Sequence, residues 1–432
     1  MKTLLLPMVL LLFGLSVRAQ EARLFRSEAV PYDNRHDAAV NGDRTRSSQY
    51  IPFKPEVEGL EGPTIWLGQT LEIPFVWTDG LTMLHLENVG QAYSVWVNDR
   101  QVTASADGFT PMEYDLTPYI RQGENRFRIG LHRSRAEELQ QGLRLQGERL
   151  SGSYLFSQQR RSIADYRIAL VPDSLRRFGV LKLEIIARNG YNYEEPVNVA
   201  YDIYSPEGKL LDFSDRPVTI AGRSQDTLRF SPFIYHTNGH EWGDGRAPLY
   251  RVMLFTKRDG KMWEYMPLQI GFSDMQYRDG RWYRFGKPYA LKPAACDAGA
   301  DREATKAAMT ALRKQGYNTL KPSFPQPHWY YDLADELGLY VIDCAAISAP
   351  DRRSDRKRGG TPANDPQLAD EFVRRVQNMY YRSRNHTSVI AFSLGNPSGN
   401  GYAMYKAYEW LKSAERERPV FYDDADGEWN CD

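Results

Sequence analysis

Near Gln276 the apolar residues of this chain change their period, and that change limits the folds open to it more than any other feature. Before it, apolar residues alternate singly. In "ENRFRIGL", Phe127, Ile129 and Leu131 alternate with Arg126, Arg128 and Gly130, and "AYSVWVNDRQV" does the same with Tyr93, Val95 and Val97 before turning at Asn98-Asp99. This is the period of half-buried strands. Turn formers recur at Thr78-Asp79-Gly80, Gln122-Gly123-Glu124, Pro206-Glu207-Gly208 and Arg258-Asp259-Gly260. After Gln276, short strands such as "YNTLKPS", "LYVIDCA" and "SVIAFSLGN" alternate with helical patterns, the first placing Ala304, Ala308, Met309 and Leu312 on one side and stopping at Gly316. Such alternation predicts parallel β/α units. Five strands and four helices can be read, whereas a closed barrel needs eight of each. The expected fold is multidomain β plus α/β: an N-terminal leader over 20–51, a jelly-roll β-sandwich over 52–162, an immunoglobulin-like β-sandwich over 163–275, and an incomplete (β/α) TIM-type barrel over 276–432.

The first 19 residues read as a signal peptide. Lys2 precedes a nearly unbroken apolar stretch from Leu4 to Leu15, and Val17-Arg18-Ala19 offers a cleavage site. Export is expected, to the periplasm, the outer membrane's surface or the exterior. No later stretch approaches about 18 apolar residues, so no transmembrane segment is expected. With 55 basic and 55 acidic residues the chain gives no reason to expect nucleic acid or an anionic membrane as partner. Cys296, Cys344 and Cys431 lie far apart without metal-ligand spacing, so at least one thiol stays free.

Longer stretches carry a resemblance. "VWVNDRQV" with "YDLTPYIRQGENRFRI", then "IGFSDMQYRDGRWYRFGKPYALK", "ADELGLYVID" and "RNHTSVIAFSLGNPSGNGYAMYKAYEWLKSAERERPVFY" resemble glycoside hydrolase family 2, the β-galactosidase and β-glucuronidase family. The resemblance implies a jelly-roll sugar-binding domain, an immunoglobulin-like domain and a barrel acting as a retaining β-glycosidase. It also implies an Asn-Glu pair after the fourth barrel strand, with Glu as general acid/base. Here Asn396 stays and Pro397 takes the Glu position. Proline has no proton to give a leaving oxygen. The family's nucleophile, a second Glu on a later strand, would lie beyond Asp432; retaining glycosidases need the two carboxyl groups about 5–5.5 Å apart. Where the family reads Asp-Glu-Ala-Asn-Ile-Glu-Thr-His, this chain reads Asp343-Cys344-Ala345-Ala346-Ile347-Ser348-Ala349-Pro350. Ser348 and Pro350 cannot replace the Glu and His that hold a divalent cation in the galactosidase branch, since a hard cation wants several oxygen ligands.

Asn396, Pro397, Cys344, Ala346, Ser348 and Pro350 are thus degenerate family positions, and no residue is assigned to catalysis. Asn396, Asp343, Asp297, Trp329 and Asp423 are candidates for binding. No cofactor and no metal are expected. Cys344 is expected to be a small buried thiol, His328 a packing residue, and "DRRSDRKRGG" (351–360) a solvated, mobile loop. Of Trp66, Trp77 and Trp96, core packing is expected for at least two. Asn385-His386-Thr387 is a glycosylation sequon only in a eukaryotic secretory setting. The fifth strand, "PVFYDD", would present an unpaired edge, to be capped either by the acidic C-terminal tail and loops or by another protein; a protein partner covering it near Phe421–Asp424 is the expectation. The expected role is a non-catalytic binding or scaffold subunit of a cell-envelope assembly. The alternative is a residual β-glycosidase or carbohydrate-binding protein in glycan utilisation.

Overall fold

In the computed structural model, residues 22–28, 30–39, 49–145 and 147–432 are described; the stretch 1–19, read from sequence as a signal peptide, lies outside them. Two five-stranded antiparallel sheets form the first sandwich. One runs in the order 23–24, 112–115, 81–86, 154–158, 50–52; the other 56–61, 64–73, 123–131, 93–97, 100–105. Phe53, Leu84, Val95, Tyr114, Phe127, Ile129 and Leu155 fill the space between them. Alternation in the sequence sets this core, because successive strand residues point to opposite faces. The hairpin at Asn98-Asp99 has φ of 50° and 63° at its two central residues, the tight turn whose twist matches its strands. Parts of the leader belong to this sandwich: Arg23–Leu24 and Tyr50–Pro52 are the edge strands of the first sheet.

The second sandwich pairs strands 161–172, 179–189 and 224–230 in one sheet with 210–220, 195–204, 249–258 and 261–271 in the other. Ile163, Leu183, Ile185, Val199, Leu254 and Met266 lie buried between them.

The third unit is a parallel sheet of five strands in sequence order: β1 (Pro293–Ala295), β2 (Thr319–Lys321), β3 (Tyr340–Cys344), β4 (Val389–Ser393) and β5 (Val420–Phe421). The helices between them are α1 (Arg302–Lys314), α2 (His328–Leu337), α3 (Ala369–Ser383) and α4 (Tyr402–Ala414). α1 starts where Asp301 accepts the amide of Ala304 at 2.8 Å. It buries Thr305 and Met309, not the expected Ala304 and Ala308; the buried Thr305 hydroxyl is satisfied by the carbonyl of Asp301. α2 stops at Gly338, whose φ is 66° and whose missing Cβ would strike the backbone of Arg246. Among the described residues no helix is long and apolar enough to cross a membrane.

β1 and β5 are the two edges of this sheet. The expectation that another protein covers β5 is corrected by the chain itself. The amide of Asp432 donates to the carbonyl of Val420 at 2.9 Å, and the Asp432 carboxylate accepts the Val420 amide at 2.8 Å. Phe421 packs edge-on against Tyr277, 5.3 Å between ring centres, in a small antiparallel sheet of strands 275–278, 281–284 and 287–289. The acidic tail and a preceding hairpin therefore occupy the edge that an outside partner was expected to fill.

Candidate functional site: the ends of the parallel strands

The C-terminal ends of β1 to β5 bring the family positions together, as in any parallel β/α enzyme. After β4, Gly395 has φ of 150° and lies so close to Ile347 that a Cβ would meet it at 2.8 Å. This lets Asn396 turn back into the sheet. Its amide N–H donates to the carbonyl of Ile347 at 2.8 Å, and its side-chain Nδ2 to those of Ser323 (2.7 Å) and Ile347 (3.3 Å). Pro397 is half-buried, and its carbonyl accepts the Ala349 amide at 3.3 Å. The next two amides, of Ser398 and Gly399, both donate to Oδ2 of Asp424 at 2.8 and 2.7 Å. A carboxylate does approach this turn, then, but it is used to fasten the turn's backbone.

The remaining candidates are held in similar ways. Asp297 accepts the Ser323 amide at 2.6 Å, and exposed Asp423 pairs with Lys321 at 3.1 Å. Trp329 is half-buried against the barrel's apolar core. Asp343 is fully buried and faces the helices, because residues 341 and 343 share one side of β3. Its Oδ1 accepts from the Tyr331 hydroxyl at 2.9 Å and from the Cys344 amide at 3.0 Å, while its Oδ2 has no hydrogen-bond partner. Burial pushes its pKa up to about 6. A perturbed carboxyl would suit a general acid, but this one is sealed from substrate. Cys344 is also buried, and burial raises its thiol to about 12. All three cysteines are free.

The stretch that holds a cation in galactosidases is used here for docking. Ser348 donates its hydroxyl to the carbonyl of Gln141 at 2.7 Å and its amide to that of Leu139 at 2.8 Å. Ala346 packs with Phe109 and Phe324, whose rings lie 5.2 Å apart. Pro350 begins an exposed turn. Beneath them the fully buried Arg375 pairs with Glu371 at 2.8 Å. Its guanidinium also reaches the carbonyls of Ala346, Ala106, Ala136 and Leu139, the last three from the first sandwich. Sequence reasoning did not single out Arg375; an arginine on the apolar side of α3's pattern was the available signal.

The other expectations resolve individually. Trp77 is in the sandwich core, whereas Trp66 and Trp96 form a half-buried pair with the Arg128 guanidinium 4.1 Å from the Trp66 ring centre. The 351–360 loop is exposed but pinned: Arg352 pairs with Glu138 at 2.8 Å and Arg356 with Glu428 at 3.0 Å. Asn385 spends its side chain on Ser27, Tyr166 and Ile168, so it offers no free amide for a glycan. His328 does not merely pack: it meets Asp332 and His386 in a group that sequence reasoning missed, although the i, i+4 spacing of His328 and Asp332 was visible.

Two sandwiches leading into parallel β/α units, with polar residues gathered at the strand ends, define the architecture of multidomain barrel glycosidases. Comparisons agree. The glycosyl hydrolases family 2 sugar binding domain matches residues 21–141, and the family 2 TIM barrel domain matches residues 298–431. A β-galactosidase of Aeromonas hydrophila is 28% identical over 426 residues, covering 91% of this chain and 40% of the relative. One from Priestia megaterium is 25% identical, covering 80% and 35%. Among solved structures, Bacteroides uniformis β-glucuronidase superposes with a TM-score of 0.71 at 16% identity, covering 83% of this chain and 46% of that one. A family 2 member from Bacteroides cellulosilyticus gives 0.69 at 19% identity, covering 86% and 53%. This chain belongs to glycosyl hydrolase family 2. It spans 35–40% of the length of the curated relatives it matches.

Proposed function

We propose that this chain is an exported, glycosidase-like family 2 protein whose barrel mouth serves binding or scaffolding and not acid/base hydrolysis. The observation that carries this reading is Pro397 in the position of the family's acid/base Glu, directly after an Asn396 whose side chain is spent on two neighbouring loops. The carboxylates nearest the turn support it: Asp424 fastens backbone amides, Asp423 is paired with Lys321, and Asp343 is enclosed. Protonating a glycosidic oxygen needs an acid within hydrogen-bond reach of it. The apolar stretch from Leu4 to Leu15 supports export. The purified protein is expected to leave 4-nitrophenyl β-galactoside and β-glucuronide unhydrolysed while retaining any glycan binding detected on an array. Turnover above background that disappears in Asp423→Asn would overturn the reading.

A second reading, a residual β-glycosidase, is favoured by relatives called β-galactosidase that align over most of this chain. A glycosyl adduct trapped by a mechanism-based inhibitor would establish it.

A further inference from the structure

Away from the strand ends, a cavity of about 740 Å³ lies where the leader, the second sandwich and the barrel meet. Its wall includes Tyr32, Arg251, Leu268, His328, Asp332 and His386. His328 and Asp332 are one turn apart on α2, and His386 comes from the connection between α3 and β4. The ligand atoms of these three residues all lie within 4.8 Å of one another.

His386 is held in one orientation. Its Nδ1 lies 2.9 Å from Oδ2 of Asp335, and Oδ1 of Asp335 accepts the Ser388 amide at 2.7 Å. With Nδ1–H given to Asp335, the lone pair of Nε2 points the other way. It points at Nδ1 of His328, 3.2 Å off. Two imidazole nitrogens converging at this distance need something between them, either a proton or a metal.

We propose that His328, His386 and Asp332 form a binding site for a divalent first-row transition ion, with zinc the best match. Zinc takes imidazole nitrogen at about 2.0–2.1 Å in tetrahedral geometry, which places two such nitrogens about 3.3 Å apart. The observed separation is within about a tenth of an ångström of that. The Asp332 carboxylate lies nearest the outer nitrogens of the two rings, 3.7 Å from Nε2 of His328 and 4.0 Å from Nδ1 of His386, and its side chain, 42% exposed, has to rotate toward the facing nitrogens to serve as third ligand. Asp335 behind His386 is the carboxylate partner that typically fixes a metal-binding imidazole. Two nitrogens and one oxygen suit zinc over calcium or magnesium, which prefer all-oxygen shells. The fourth position opens to the cavity, where water can complete the shell. Glu336, also on the wall, is paired with Arg302 at 2.5 Å and stays outside the set.

The test is zinc titration of the full-length, chelator-stripped protein by calorimetry, with cobalt absorption as a second probe. One zinc per chain is expected, with the visible bands of tetrahedral cobalt. His328→Ala and Asp332→Asn should each weaken zinc at least about tenfold, the loss seen when even an outer partner of a metal-bound histidine is removed. Neither touches the Asp335–His386–Ser388 contacts, and circular dichroism checks the fold; Asp332 is exposed enough that its variant serves if the other fails to fold. Cys296→Ser with Cys431→Ser should leave binding unchanged. No stoichiometric uptake, uptake indifferent to both His328→Ala and Asp332→Asn, or uptake lost in the cysteine variant would each overturn the proposal.

Discussion

The side-chain amide of Asn396 donates to the carbonyl of Ser323 at 2.7 Å, tying the end of β4 to the loop that follows β2. A residue that positions a ligand keeps its donors free. This one joins its own neighbours, and it sits one residue before a proline where the family has its acid.

Asn396→Ala should therefore destabilise the fold by about 1–2 kcal/mol, the cost of leaving the Ser323 carbonyl without this donor, while the Ile347 carbonyl keeps the Asn396 backbone N–H. Asn396→Asp should cost more, since a carboxylate would face two carbonyl oxygens. Urea midpoints measure both; an unchanged midpoint for both variants contradicts the structural role assigned to this amide.

Asp343 offers a pH test. Its folded pKa of about 6 stands above its ordinary 3.8, so the folded state favours the protonated acid. The associated stability is complete below pH 3.8 and is lost as pH rises through 6. Asp343→Asn, which keeps a neutral acceptor for Tyr331 and Cys344, should gain about 1–3 kcal/mol over wild type at pH 7.5. The gain should shrink toward pH 4. A variant equally shifted at both pH values would show that this carboxyl is not the cause.

His85 gives the opposite signature. Burial alone would push its imidazolium down, but Glu28, Glu113 and Glu87 outweigh burial and raise it to about 9. It lies 2.8 Å from Glu87 and 3.5 Å from Glu113, which also pairs with Arg26 at 2.7 Å. With a folded pKa above the ordinary 6.5, its contribution is full below pH 6.5 and disappears as pH rises through 9. The melting temperature should fall across pH 7–9.5 by the equivalent of about 2 kcal/mol, and His85→Gln should flatten that limb while lowering stability at pH 7.

Arg375→Ala should cost about 3–5 kcal/mol, because buried Glu371 would keep only the exposed Arg374 as partner and the carbonyls of Ala346, Ala106, Ala136 and Leu139 would lose this donor. Arg375→Lys should not rescue it: one ammonium cannot reach carbonyls on several sides at once. Guanidinium denaturation curves of the two variants against wild type provide the comparison.

Cys344 should resist alkylation in the native protein, since a buried thiol raised to about 12 holds almost no thiolate at neutral pH. Iodoacetamide labelling followed by peptide mass mapping should find Cys296 and Cys431, both half-buried, modified first.

Much of the fold was legible because its strands alternate cleanly and its turns carry the residues that turns require. Asn98-Asp99 and Asp259-Gly260 both adopt the positive φ that such dipeptides tolerate. The leader was harder. Arg23–Leu24 is a strand of two residues, too short to show a period, and is defined only by pairing with Glu113 and Tyr114. At the site, Pro397 could be read directly, but the direction of Asp343 could not be read from its residue type. Its alternation with Val341, which joins the helix-side core, held that information. The tail was one of two candidates to cover β5, and the sequence did not favour it because residues 431–432 carry no periodic pattern that would reveal their pairing with Val420.

Ser348 and Arg375 hold the first sandwich through backbone carbonyls at residues 106, 136, 139 and 141. A carbonyl is common to every residue type, so this grip depends on loop path and not on the side chains displayed there. Chimaeras that exchange sandwiches among relatives should thus tolerate wide divergence in loop sequence, yet fail when a single inserted residue moves those oxygens out of reach.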